Sequence, residues 1–249
     1  MTGDRDPAAV AADTPETGGD ERVDAVGVGP GNPEYLVPRA RRAIREADVV
    51  VGFETVVDVV RGEVDTDARW LTCGYDDESE TLSAFADRVS AGAAGVAVLM
   101  GDPNHSGYQF VGKVASAVEG RVRVVPGISS LQVAASRART PMEATTFVTL
   151  HKRGSLAGDL ARLRADVGDR HLLILPRPYD WMPGDVAAHL LDAGAVPTTT
   201  ALVMERLTHD NETITRSTLE ELATHEGGSG REETPFSDLS VLAVRSGRG

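Results

Sequence analysis

Apolar residues along this chain come in short runs alternating with stretches of helical spacing. Val23, Ala25, Val26 and Val28 make a run of strand length. It breaks at Gly27-Val28-Gly29-Pro30-Gly31, where the chain turns tightly and no side chain screens the backbone from a ligand. From Pro38 to Ala47, Ala40, Ala43, Ile44 and Ala47 fall on one face and Arg39, Arg41, Arg42 and Arg45 mostly off it, which predicts an amphipathic helix. Asp48 to Gly52 then predicts a second buried strand. Strand, helix and strand form a βαβ unit, which implies a parallel sheet. Ligands bind such sheets at the carboxyl ends of the strands, where the glycine loop sits.

The same grammar continues. Glu54–Arg61 and Thr81–Gly92 predict helices, the second with Leu82, Phe85, Ala86 and Val89 on one face, and Trp70–Cys73 predicts a strand. Gly95–Met100 is a buried strand that stops at Gly101-Asp102-Pro103-Asn104-His105-Ser106-Gly107, and a helix follows over 110–118. Val122–Val125 is a strand stopped by Pro126-Gly127, and Ile128-Ser129-Ser130 opens another helix, with serines placed to cap it. Three strands thus end in Gly/Pro loops on one rim of an α/β domain. Beyond Thr140–Glu143 the rhythm changes. Strands at Phe147–Leu150, His171–Leu175, Thr199–Met204 and Leu239–Val244 alternate with helices at Gly158–Val167, Asp185–Ala193 and Ser217–Ala223, a mixed α/β pattern with a partly antiparallel sheet. The expected division is an N-terminal domain over 22–143 and a C-terminal domain over 144–249. Residues 1–21 read as a disordered acidic tail, and Gly227–Pro235 as a flexible loop.

Composition narrows the function. Net charge is −13, and of 25 basic residues only Lys113 and Lys152 are lysine. An acidic excess argues against a nucleic-acid partner, because a phosphate backbone rewards a basic face. It reads either as a solvated, self-repelling surface or, the favoured reading, as adaptation to a salty cytoplasm, where charges are screened over short distances. No apolar run is long enough to span a membrane, and no basic-then-apolar leader opens the chain. Cys73 is the single cysteine, which excludes an internal disulfide and fits a reducing, cytoplasmic setting.

Several groups carry candidate chemistry. Gly27-x-Gly29-x-Gly31 suggests a nucleotide loop, but a dinucleotide fingerprint wants a small residue where Asn32 stands. Asp48, about 20 residues on, precedes the second strand rather than ending it. No Lys-Ser/Thr makes a P-loop. Asp102 at a strand's carboxyl end can hold a hydroxyl or a cationic group, or merely form an Asx-turn. Ser129 and Ser130 at a helix start suit a carboxylate or a polar ring edge, or simple capping. His151-Lys152-Arg153 is a basic trio in an acidic chain, suited to an anionic ligand or to a charged surface. The other histidines have no metal-ligand spacing, and no Gly-x-Ser-x-Gly elbow exists.

Together the stretches VGVGPGNPEYLVPRARRAIREADVVVG, LMGDP and VVPGISSLQVAASRARTPMEATTFVTLHKRG resemble the tetrapyrrole (corrin/porphyrin) methylase family. Within it, SSLQVAA, Leu150-His151-Lys152-Arg153-Gly154, Glu205-Arg206-Leu207, Glu212-Thr213-Ile214 and Thr218–Leu222 look most like the cobalt-precorrin-7 C-5 methyltransferases of cobalamin biosynthesis, in their stand-alone form. The resemblance implies two α/β domains with S-adenosylmethionine in the cleft between them, a homodimer, and a separate partner for the C-15 step. Carried over by position, it places Pro30, Gly101, Asp102, His105, Ser129, Ser130, Leu175, Met204 and Leu239 at the cofactor. The run Asn104–Tyr108 departs from the family's usual small-aromatic-serine sequence.

The chemistry then expected is transfer of an already activated methyl to an electron-rich ring carbon, which asks the protein mainly for alignment and exclusion of water. The anionic corrinoid substrate carries acetate and propionate arms that arginines clamp bidentately. Arg153, Lys152 and Arg177 are the expected clamps, Gly29 and Gly31 the loop backbone facing the substrate, and His151 a candidate for proton transfer or a hydrogen bond to a carboxylate. Two alternatives are a sister methylase acting at another ring position and a nicotinamide-dependent oxidoreductase resting on the glycine loop. A third is a non-catalytic S-adenosylmethionine- or corrinoid-binding module.

Overall fold

The computed structural model describes residues 23–118, 122–178, 180–227 and 234–247. The acidic tail and most of the Gly227–Pro235 segment lie outside the described residues. The chain divides into two compact units, one ending at Ser129 and the other beginning at Ser130.

The first unit contains β1 (Val23–Gly27), α1 (Pro38–Arg45), β2 (Val49–Phe53), α2 (Glu54–Val60), β3 (Arg69–Cys73), α3 (Glu78–Ser90), β4 (Gly95–Leu99), α4 (Tyr108–Ala117) and β5 (Val122–Val125). The strand order is β3-β2-β4-β1-β5, and every pair is parallel. Alternate residues of each strand face opposite ways, and both faces are covered. Val26, Val50 and Val98 pack with Ile44 of α1 and Val57 of α2, while Ala25, Val51, Ala97 and Leu99 pack with Phe85 of α3 and Val114 of α4. Burial on both sides explains why these strands read as continuous apolar runs. Pro38 opens α1 because it lacks the N–H that a helix start leaves unpaired.

Since the strands are parallel, all five carboxyl ends lie on one edge, and there the loops after β1, β4 and β5 converge. The backbones meet so closely that side chains are excluded. A Cβ on Gly27 would fall 2.5 Å from the Gly101 carbonyl oxygen and 2.7 Å from the Gly127 nitrogen. A Cβ on Gly127 would fall 2.2 Å from that same oxygen.

The second unit contains α5 (Ser130–Ala138), β6 (Thr145–Thr149), α6 (Ala157–Asp166), β7 (His171–Leu175), α7 (Pro183–Asp192), β8 (Thr200–Glu205), β9 (Thr213–Thr218), α8 (Leu219–Ala223) and β10 (Ser240–Val244). The order is β6-β7-β10-β8-β9, with β6 and β7 parallel and the other pairs antiparallel. Leu163, Val186, Leu190, Leu219 and Leu222 of α6, α7 and α8 pack with Leu172, Ile174, Val203 and Leu242 of the sheet.

Two expectations need correcting. The second unit starts at Ser130 rather than at 144, because α5 packs on β7 and β10 and its Ala138 carbonyl accepts a hydrogen bond from the Arg245 guanidinium. β9 was not anticipated as a strand. Its residues are exposed or half-buried, so no buried apolar face produces the alternation by which a strand is read. Pairing with β8 makes it a strand, and the reciprocal Thr218–Glu221 hydrogen bonds start α8 where the helical pattern predicted it.

Two outcomes follow. Gly127→Ala should lower stability by about 1–3 kcal/mol in urea denaturation, since the loops must part to admit a methyl group. The control Gly158→Ala in α6, with nothing within 4 Å of the added Cβ, should be neutral or stabilising by up to about 1 kcal/mol. The second concerns His171, which is buried and accepts the Ser246 N–H on Nδ1 at 3.0 Å. Burial first, and then the Arg245 charge, hold its pKa below the usual 6.5. The unfolded chain therefore binds this proton first, and His171's share of stability should be present above pH 6.5 and be lost as pH falls through the lower folded value. Denaturation midpoints of wild type and His171→Gln between pH 7.5 and 5 should converge at the acid end.

Candidate functional site

The rim of the first unit is built on backbone hydrogen bonds. The Val28 N–H donates to the Leu99 carbonyl at 2.9 Å. Gly29 and Gly101 then exchange both their bonds, at 3.2 and 2.8 Å, which ties the β1 loop to the β4 loop. Both glycines have left-handed backbones, φ +87° and +66°, a conformation that costs glycine nothing. Pro30 is buried beside them and Gly31 half-buried.

Asp102 ties in the third loop. It is buried, and its Oδ2 accepts the Gly127 N–H at 3.1 Å while Oδ1 accepts the Asn104 N–H at 2.9 Å. Its carbonyl accepts the N–H groups of His105 and Ser106 at 3.0 and 2.9 Å. The Asx-turn is thus present, but so is a link across 25 residues of sequence, which a turn alone does not need. Each carboxylate oxygen keeps acceptor capacity for a ligand donor. The His105 residue is exposed and Ser129 buried, with the Ser129 Cα 3.7 Å from where a Gly101 Cβ would lie.

This rim is not a dinucleotide site. The fingerprint needs a helix starting directly at the glycine loop, so that its N-terminus meets the pyrophosphate. Here a 3-10 turn over Pro33–Tyr35 intervenes, its start capped by Asn32 Oδ1 accepting the Glu34 N–H at 2.8 Å, and α1 begins only at Pro38. The acid expected on the ribose is also misplaced. Asp48 Oδ2 accepts the Ala94 N–H at 2.8 Å, at the amino ends of β2 and β4, the opposite edge from the loops. Both features of the nicotinamide reading fail on geometry.

In the second unit, β6, β7 and β8 run the same way, so their carboxyl ends share an edge with the start of β10. His151, Lys152 and Arg153 leave β6 there, beside Leu175 and Arg177 leaving β7. The Leu150 N–H donates to the Leu175 carbonyl at 2.8 Å, and Arg177 Nη1 reaches the Gly154 carbonyl at 3.5 Å. Leu239, 59% exposed, joins them through its carbonyl, which accepts the Arg206 N–H at 2.9 Å. Ser130 is half-buried at the first position of α5.

The cations are not equally available. Lys152 pairs with Asp159 at 2.7 Å, and Arg177 holds Asp180 with two bonds of 2.7 and 2.5 Å. Arg153 is exposed and has no ion pair among the described residues. Met204 is fully buried within β8, between β10 and β9. His151 stands at the surface. Desolvation by the protein around it lowers its pKa, opposed by the Asp238 carboxylate. Asp238 carried no signal in the sequence, because it acts on His151 across 87 residues through the return of β10. Cys73 is buried and its thiol is pushed up to about 11, chiefly by burial and then by Glu78 and Asp77, so it is no nucleophile.

Comparison with known proteins fits this geometry. The chain is 29% identical over 200 residues to the probable cobalt-precorrin-7 C(5)-methyltransferase of Methanocaldococcus jannaschii, covering 80% of this chain and 90% of that protein. It is 33% identical over 153 residues to the uroporphyrinogen-III C-methyltransferase of Paracoccus denitrificans, covering 56% and 52% of the two chains. Among solved structures, a cobalt precorrin-4 methyltransferase aligns with a TM-score of 0.71 at 20% identity, covering 92% of this chain and 97% of that one. The uroporphyrin-III C-methyltransferase of Thermus thermophilus, complexed with S-adenosylhomocysteine, aligns at 0.66 and 22% identity, covering 90% and 92%. These two likenesses concern the fold. Residues 22–223 match the Tetrapyrrole (Corrin/Porphyrin) Methylases, a span that takes in all three rim loops and the basic edge, and the chain belongs to that family.

Proposed function

We propose that this protein is an S-adenosylmethionine-dependent C-methyltransferase that methylates C-5 of cobalt-precorrin-7 in cobalamin biosynthesis. The observation that carries the ring position is the similarity to the M. jannaschii protein across most of both chains. The family membership carries the coarser statement, methylation of a tetrapyrrole.

The residues present suit the cofactor. S-adenosylmethionine, when bound, supplies an activated methyl on a sulfonium cation and needs no protein nucleophile. Asp102 offers a buried carboxylate with spare acceptor capacity, fit for a cationic or hydroxyl group. The glycine loops around it offer backbone groups with no Cβ in front of them. Asp102 also positions the rim, since the Gly127 loop hangs on its Oδ2. On the second unit, Arg153 is the clamp for a carboxylate arm of the substrate. Lys152 and Arg177 form a second rank, because each would have to exchange an existing carboxylate partner. His151, whose pKa desolvation lowers against the pull of Asp238, is the candidate to accept the proton lost from the methylated carbon or to hydrogen-bond a substrate carboxylate. A homodimer and a separate C-15 enzyme belong to the same proposal, to be tested by sedimentation and co-purification.

A second reading is methylation at another ring position, favoured by the 33% identity to the P. denitrificans enzyme. Supplying purified protein with S-adenosylmethionine and cobalt-precorrin-7, and locating the new methyl by NMR, decides between them. A methyl at C-5 is the expected product, and a methyl elsewhere overturns the C-5 assignment. By calorimetry, S-adenosylhomocysteine should bind one per chain, with NAD and NADP inert. Asp102→Ala should weaken that binding at least about tenfold, the equivalent of one charged hydrogen bond. Arg153→Ala should raise KM for the tetrapyrrole by about tenfold or more, with S-adenosylhomocysteine affinity unchanged.

A further inference from the structure

The first unit carries a row of three aromatic rings that runs from its core to solvent. Phe53 is the last residue of β2, Tyr75 lies two residues beyond β3, and Phe110 is in the first turn of α4, the helix that follows the Asp102 loop. The Phe53 and Phe110 centroids are 5.3 Å apart with planes tilted by 51°, and those of Phe53 and Tyr75 are 5.1 Å apart at 49°. Phe110 is buried, Phe53 half-buried, and Tyr75 is 81% exposed. The row thus begins in the core and ends in solvent.

Its position gives it a use. β3, β2 and β4 are adjacent and parallel, so the three rings lie along the same edge as Gly101 and Asp102. Two strand spacings carry the row about 10 Å along that edge, broader than a single aromatic side chain. In a chain that is only 4% aromatic, an exposed tyrosine stacked on this edge is not incidental core packing.

We propose that Tyr75, backed by Phe53, forms a stacking ledge for the apolar face of the tetrapyrrole macrocycle, a substrate contact that rests on the methylase reading above. The exposed Tyr75 face can pack offset on the delocalised part of the macrocycle, while Phe53, tilted by 49° behind it, supports that ring from the core side. The carboxylates nearby restrict how it lies. Asp77 accepts the Gly74 N–H at 2.6 Å and Glu78 pairs with Lys113 at 2.5 Å, while Asp76 is exposed. Their charge opposes acetate and propionate arms, so the ledge takes the uncharged ring face and the arms point away from it.

Tyr75 is the residue to change, because its exposure lets substitution leave the fold intact. The probe is uroporphyrin III, a stable planar tetrapyrrole, titrated by its visible absorption. Tyr75→Ala should weaken uroporphyrin binding about three- to tenfold. Tyr75→Phe should bind as wild type does, and S-adenosylhomocysteine affinity should be the same in all three proteins. The ledge is overturned if Tyr75→Ala binds uroporphyrin normally, if the wild type does not bind it, or if Tyr75→Ala instead changes the sedimentation coefficient, which would make the ring row a subunit contact. Failure of the methylase reading has a different signature, a wild-type protein that does not bind S-adenosylhomocysteine.

Discussion

The first unit depends on the contact of three glycine backbones at the carboxyl edge of its sheet. Gly27, Gly101 and Gly127 approach so closely that no Cβ fits on Gly27 or Gly127, and the buried Asp102 carboxylate locks the arrangement by accepting the Gly127 N–H. Parallel pairing of β4, β1 and β5 brings the loops to one place. The absence of side chains lets them close, and the hydrogen bond of a charged acceptor holds them. A rim made this way owes its rigidity to backbone geometry rather than to rotamers. Rigidity is what a reaction governed by alignment requires.

The second unit achieves its polar edge differently. Its cations are arranged on loops after β6 and β7, and most are already partnered. Pairing Lys152 with Asp159 and Arg177 with Asp180 restricts the rotamers of long side chains. Arg153 is exposed and has no ion pair among the described residues.

Burial also sets what the titratable groups can do. The Cys73 thiol is pushed up to about 11, chiefly by burial, whereas desolvation lowers the His151 pKa below its usual value.

Much of this was legible in the sequence because it is local. The apolar runs of β1, β2 and β4, the stripe of Ala40 and Ile44 on α1, and the Gly/Pro stops after three strands each depend on neighbours within a few residues. The chemistry of the loops was legible too, since glycine, proline and a strand-ending aspartate limit what a loop can do. Tertiary structure decided everything set by long-range pairing. It joined Asp102 to Gly127, placed Asp48 at the wrong edge for a ribose, and gave α5 to the second unit. It also buried Met204 inside β8, made a strand of the exposed β9, and set Asp238 to act on His151. The physical reason is common to all. Periodicity records which face of an element is apolar, but which elements become neighbours is fixed only when the sheets form, and a side chain's charge, burial and partner are properties of those neighbours.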